Sequence, residues 1–158
     1  LKPIKQGFDV GVISEAGCPG VAEPGADVVR IAHQKGFQVV PIVGPSSILL
    51  ALMASGLNGQ NFAFKGYLPV KPIERVKEIA SLEKRIKSEK QTQIFIETPY
   101  RNNQLIGDLL KSCAPSTLLC IAANITGKNE FIVTKTIQDW QGKTPDLHKQ
   151  PVIFLLGN

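Results

Sequence analysis

The chain has 158 residues, 43% of them hydrophobic, with 18 Lys and Arg against 13 Asp and Glu, a net charge of +5. That is enough chain for one full core or for a core plus part of a second. The longest apolar run, "SSILLALMASGL", falls well short of the ~20 residues that a bilayer span needs, and the start of the sequence shows no basic, apolar and small-residue leader pattern.

The first third alternates apolar runs with helical spacing. "FDVGVIS" (8–14) and "FQVVPIVG" (37–44) read as strands, the second of them buried. "GADVVRIAHQKG" reads as a helix stopped by Gly36, and "PSSILLALMASG" as a helix opened by Pro45 and Ser46 and closed at Gly56. Strands alternating with helices imply a parallel sheet with right-handed crossovers. Two strands alone leave both edges open, too few for independent stability, so the reading expects further strands before Leu1 and a longer parent protein.

"LNGQNFAFKGYLPVKP" breaks that rhythm, and a domain boundary is expected there, giving 1–58 as the C-terminal part of one α/β domain and 59–158 as a mixed α/β domain. In the second part the sequence predicts a strand "FAFKGYL", a basic helix from about Pro72 to Lys90, a strand "TQIFIET" and a helix "RNNQLIGDLLKSC". It then predicts a strand "STLLCIAANIT", a polar hairpin-like turn around Gly127, a strand "FIVTKTI", a short helical turn near Trp140 and a final strand "PVIFLLG".

Two loops draw attention. "SEAGCPG" follows the first apolar run and "VGPSS" the second, the place where open α/β sheets present backbone amides and helix N-termini to ligands. Gly17 and Gly20 remove side chains so that main-chain groups can touch a crowded ligand, while Ser46 and Ser47 offer hydroxyls at a helix opening. Neither loop carries the P-loop or the dinucleotide glycine pattern.

Cys18, Cys113 and Cys120 are too far apart in sequence to suggest a disulfide framework, and no paired Cys and His spacing offers a metal site, which fits a reducing cytoplasm. Cys113 and Cys120 read as small buried hydrophobes. His33 and His148 read as surface residues and Trp140 as a packing anchor over the second sheet. Much of the positive charge falls in "RVKEIASLEKRIKSEK", a solvated helix face, although the net balance favours an anionic partner such as RNA.

The ordered set "SEAGCPGVAEPG", "VVPIVGPSSILLALMASGL", "FAFKGYLP", "QIFIETPYR", "LCIAANIT" and "PVIFLLGN" resembles the tetrapyrrole methylase superfamily, and within it the branch that methylates the 2′-O-ribose of small-subunit ribosomal RNA. The resemblance implies a two-domain α/β homodimer that binds S-adenosylmethionine between its domains, with ribosomal RNA as substrate. It implies cofactor contacts at Ala16, Gly17, Cys18 and Val21 in the first loop, Ser46 and Ser47 in the second, Glu97 and Thr98 at the end of a strand, and Ile125 at the end of "AANIT". The chain departs from the branch pattern at Glu15, Cys18 and Glu23, where S-D-A-G-T-P and D-P-G are usual, and at Ala123 and Asn124, where a basic and an acidic residue are usual. No catalytic residue is assigned; Glu15, Glu23 and Glu130 are loop-borne candidates for a base. The alternatives are the same cofactor with a tetrapyrrole or other acceptor, and a catalytically silent domain that binds cofactor or partners.

Overall fold

The computed structural model describes residues 2–15 and 17–158. They form two compact units, residues 1–46 and 47–158.

The first unit holds a one-turn helix α1 (Lys2–Lys5) and the helix α2 (Ala26–Gln34). Helix α2 ends where the sequence predicts, with Gly36 at φ +69°, the left-handed geometry in which a helix commonly stops. The two apolar runs 8–14 and 37–44 depart from expectation: neither has a strand partner among the described residues, and Val40, Ile42 and Val43 are exposed. An apolar run becomes a strand only where a neighbour supplies the hydrogen-bond ladder, and a two-stranded pairing offers too little burial to hold one.

The second unit is a five-stranded mixed sheet covered on both faces. It begins with α3 (Ser47–Ser55), closed by Gly56 at φ +72°, and continues with β1 (Phe62–Tyr67), α4 (Pro72–Glu89), β2 (Thr92–Ile96) and α5 (Asn102–Ser112). Then come β3 (Leu118–Ala123), β4 (Phe131–Thr136), the single turn α6 (Ile137–Trp140) and β5 (Val152–Gly157). These elements match the sequence reading one for one. Their spatial order is β1-β2-β5-β3-β4, with β1 parallel to β2 and β5 antiparallel to both β2 and β3.

Alternation in the central strands assigns the two faces. From β5, Val152, Phe154 and Leu156 join Leu119, Ile121 and Ala123 of β3 in the larger core, together with Phe95. Ile153 and Leu155 join Cys120, Ala122 and Ile94 on the opposite face. Successive side chains of a strand point to opposite faces, so a strand buried on both sides reads as an unbroken apolar run, as "VIFLL" does.

The larger face is covered by α4 and α5. Helix α4 buries Arg75, Ile79, Leu82 and Ile86, a stripe at helical spacing, while its lysines stay in solvent. Trp140, 1% exposed, closes this face and donates its indole N–H to the Leu119 carbonyl at 2.9 Å. The opposite face is covered by α3 through Ala51 and Leu52, and Thr134 donates its hydroxyl to the Ser55 carbonyl at 2.7 Å. Among the described residues no helix is long and apolar enough to cross a membrane.

Candidate functional site

In the first unit, Cys18 and Pro45 bring the two candidate loops into contact: the Cys18 thiol donates to the Pro45 carbonyl at 3.5 Å. The loop carrying Gly17, Cys18 and Val21 therefore lies beside the segment that leads to Ser46. Gly17 has φ +76° and an ideal Cβ there would meet no atom within 4 Å, so the main chain is accessible. Gly20 and Gly25 are packed against each other, since a Cβ on Gly25 would lie 3.2 Å from the Gly20 nitrogen. The glycines thus divide the work: one pair lets the loop fold back on itself, and Gly17 keeps backbone open. Ala16 lies outside the described residues. Glu15 and Glu23 are exposed, as is His33.

In the second unit, sheet topology gathers the remaining positions. Because β2 and β3 both run antiparallel to β5, their carboxyl ends emerge on one edge of the sheet, on either side of the start of β5. Glu97 and Thr98 follow β2, and Ile125 follows β3. Two interstrand spacings, roughly 10 Å, separate the two strand ends. Ile125 packs against the same apolar cluster as Ile48, next to Ser47 at the start of α3. Asn124 at φ +51° and Thr126 at φ +67° turn the chain sharply around Ile125, and Glu130 accepts from the Thr126 backbone N–H at 2.6 Å. Glu130 is thus a turn-holding acceptor at an exposed position.

Glu97 is a buried carboxylate. Its Oε1 accepts from the Thr98 backbone N–H at 2.6 Å and from Arg101 Nε and Nη2 at 3.1 and 2.6 Å, while Oε2 has no hydrogen-bond partner among the described residues. A buried carboxylate is tolerated when a cation and backbone donors replace its water. The pair fixes the turn after β2 and holds the half-buried Arg101 against it.

A polar strap completes the edge. Asn102, fully buried, donates through Nδ2 to the Leu147 and Gln150 carbonyls at 3.1 and 2.8 Å. Asn103 accepts from the Leu147 N–H at 2.9 Å and donates to Asp146 at 2.7 Å. Asn124 donates to Gln150 Oε1 at 2.8 Å. Hydrogen bonds from Asn103 and the His148 N–H hold the Asp146 carboxyl below its ordinary range. Beside this strap, Asn124, Lys128, Phe131, Asp146 and Gln150 line part of an open cavity of about 640 Å³. Arg101 and the two asparagines were not singled out from sequence. The visible signal was a pair of amides at the opening of a helix, immediately after a Pro-containing turn.

Cys113 and Cys120 are buried as expected, and burial pushes the Cys113 thiol up to about 12. Among the described residues no cluster of His, Cys, Asp or Glu could hold a metal ion.

Residues 1–141 match the family described as Tetrapyrrole (Corrin/Porphyrin) Methylases. The chain is 31% identical over 159 aligned positions to ribosomal RNA small subunit methyltransferase I of Pasteurella multocida, covering 99% of this chain and 55% of that protein. It is 36% identical over 138 positions to the protein of the same name from Mesorhizobium japonicum, covering 87% of this chain and 46% of that one. The chain thus spans about half the length of the curated relatives it matches. Among solved structures, the methyltransferase CobJ is similar with a TM-score of 0.58 at 17% identity, over 90% of this chain and 62% of that one. Uroporphyrin-III C-methyl transferase from Thermus thermophilus, solved with S-adenosyl homocysteine, is similar with a TM-score of 0.50 at 20% identity, over 90% and 63% of the two chains. The fold these two share with the chain and the family match over most of its length agree: the chain belongs to the tetrapyrrole methylase family.

Proposed function

We propose that these residues are part of an S-adenosylmethionine-dependent methyltransferase whose acceptor is a 2′-hydroxyl of small-subunit ribosomal RNA. One observation carries the reading: the similarity to ribosomal RNA small subunit methyltransferase I extends over 99% of the chain. The loops fit the cofactor. Gly17 exposes main-chain donors and acceptors with no side chain in the way, and Cys18 ties that loop to the segment before Ser46.

When bound, the cofactor supplies a methyl group already activated on a sulfonium, so the protein's task is alignment and exclusion of water. In this reading Ala16, Gly17, Cys18, Val21, Ser46, Ser47, Thr98 and Ile125 are the cofactor contacts. Glu97 serves them indirectly, by fixing the Thr98 backbone and Arg101. A base is needed only where the acceptor proton must leave in the transition state. The reading further takes the protein as a cytoplasmic homodimer, with the domain boundary near residue 58.

Methyl transfer from isotope-labelled cofactor by the full chain tests this. Label should enter small-subunit ribosomal RNA as an alkali-stable ribose methyl. Label entering a tetrapyrrole instead, or saturable cofactor binding with no transfer to RNA, refutes the acceptor.

A further inference from the structure

The turn after β2 and the strap before β5 form a patch that cofactor binding does not account for. Tyr100 is 69% exposed, although it stands between a buried Glu97 and a buried Asn102. The His148 ring meets it edge-on with centroids 5.8 Å apart, and the Lys149 ammonium lies 5.8 Å from its ring centroid. The patch is rigid. The Lys149 N–H donates to the Pro99 carbonyl at 3.0 Å, which bolts the two loops together, and Lys149 is held at φ +62°. A non-glycine residue in that conformation is uncommon and persists where surrounding contacts over-determine it, here the three hydrogen bonds that Asn102 and Asn103 donate to residues 146–150 and the one that Asn103 accepts from the Leu147 N–H.

The two nearby carboxylates are both engaged. Glu97 is turned inward onto Arg101, and Asp146 onto Asn103 and the His148 N–H. Lys149 and Lys128 have no ion pair among the described residues, and Arg101 Nη1 has no hydrogen-bond partner among them. A solvent-exposed aromatic ring with the Lys149 ammonium beside it, free of any ion pair among the described residues, matches what unpaired nucleotides require: a face for the base to stack on, and charge for an adjoining phosphate.

We propose that Tyr100 and Lys149, with Arg101 beside them, form a contact for single-stranded RNA, Tyr100 stacking on one unpaired base and the cations meeting the phosphates on either side. The patch adjoins Glu97 and Thr98, so the strand it holds passes the edge where the cofactor contacts are proposed. This inference rests on the RNA-methyltransferase reading and adds to it the residues that grip the substrate.

The test is fluorescence anisotropy with the full chain and a labelled single-stranded RNA of roughly 12 nucleotides, within the span such surfaces cover. Tyr100→Ala should weaken binding about tenfold, whereas Tyr100→Phe, which keeps the ring, should stay within about twofold of the unmodified protein. Lys149→Gln should reduce the slope of log affinity against log salt by about 0.7, the contribution of one phosphate contact on a single strand. Calorimetry with S-adenosylmethionine should give the same affinity for all variants. RNA binding by the unmodified protein that neither Tyr100→Ala nor Lys149→Gln alters overturns the patch and leaves the function standing. Loss of cofactor binding along with RNA binding in Tyr100→Ala overturns it too, by showing that the ring serves the edge itself. An unmodified protein that binds cofactor but no RNA removes the RNA reading and this inference together.

Discussion

Arg75, 1% exposed on α4, is joined to Asp108 of α5 through Nε at 2.7 Å and Nη2 at 2.6 Å, while its Nη1 donates to the Val70 carbonyl at 2.9 Å. One guanidinium therefore locks two helices and the loop before α4. Asp108→Ala leaves that cation buried without its counter-charge. The expected loss is about 3 kcal/mol, toward the lower end for a broken buried pair because Asp108 keeps some solvent. Urea unfolding of the two proteins measures it, and Asp108→Asn, which still accepts a hydrogen bond, should lose less.

Trp140 supports the same face from its other end. Trp140→Phe removes the donor to the Leu119 carbonyl and part of the ring volume, for a loss of roughly 2 kcal/mol. Trp140→Ala should lose about 3–5 kcal/mol and lower the thermal midpoint accordingly. A Trp140→Phe variant as stable as the parent would show that the indole bond contributes nothing net.

Gly17→Val should abolish S-adenosylmethionine binding. The position has φ +76°, which a β-branched residue adopts only under strain, and the new side chain would enter space that is now open. The thermal transition of the second unit should not move. A folded Gly17→Val variant that bound cofactor normally would reduce the loop to a turn.

The cysteines separate by burial. At pH 8, iodoacetamide should alkylate Cys18 in the native protein and spare Cys113 and Cys120, whose thiols burial holds in the protonated form. The same shift has a stability consequence. The unfolded Cys113 thiol ionises from its ordinary value of 9.0, whereas the folded one keeps its proton up to about 12. Above pH 9 the native state binds more protons than the unfolded state, so this contribution is fully present below that pH and falls away as pH rises toward 12. Cys113→Ala should flatten the alkaline fall in stability measured by urea titration at successive pH values.

The elements of the second unit were legible because glycine, proline and polar turns punctuate apolar runs of suitable length, as in "TQIFIETPYRNNQ". Two features were not. Runs 8–14 and 37–44 have strand composition, yet composition does not supply the paired neighbour that makes a strand. Arg75 sits in a segment whose alternating Lys and Glu read as solvated, and only the stripe formed with Ile79, Leu82 and Ile86 reveals that this one cation faces inward. At the candidate site, Gly17 was legible through its loop. The Asn102 and Asn103 strap was not, because its partners lie more than forty residues away in sequence.

Strand β5 follows the other four strands in sequence, and among the described residues it is the strand that joins the β1–β2 pair to the β3–β4 hairpin. Without it the sheet divides into two half-sheets, with the inner edges of β2 and β3 unpaired. Closure of those edges and the meeting of the β2 and β3 ends therefore depend on the same contacts, which join residues distant in sequence. A chain cut before residue 152 would keep Thr98 and Ile125 but lose the strand that brings the ends of β2 and β3 together.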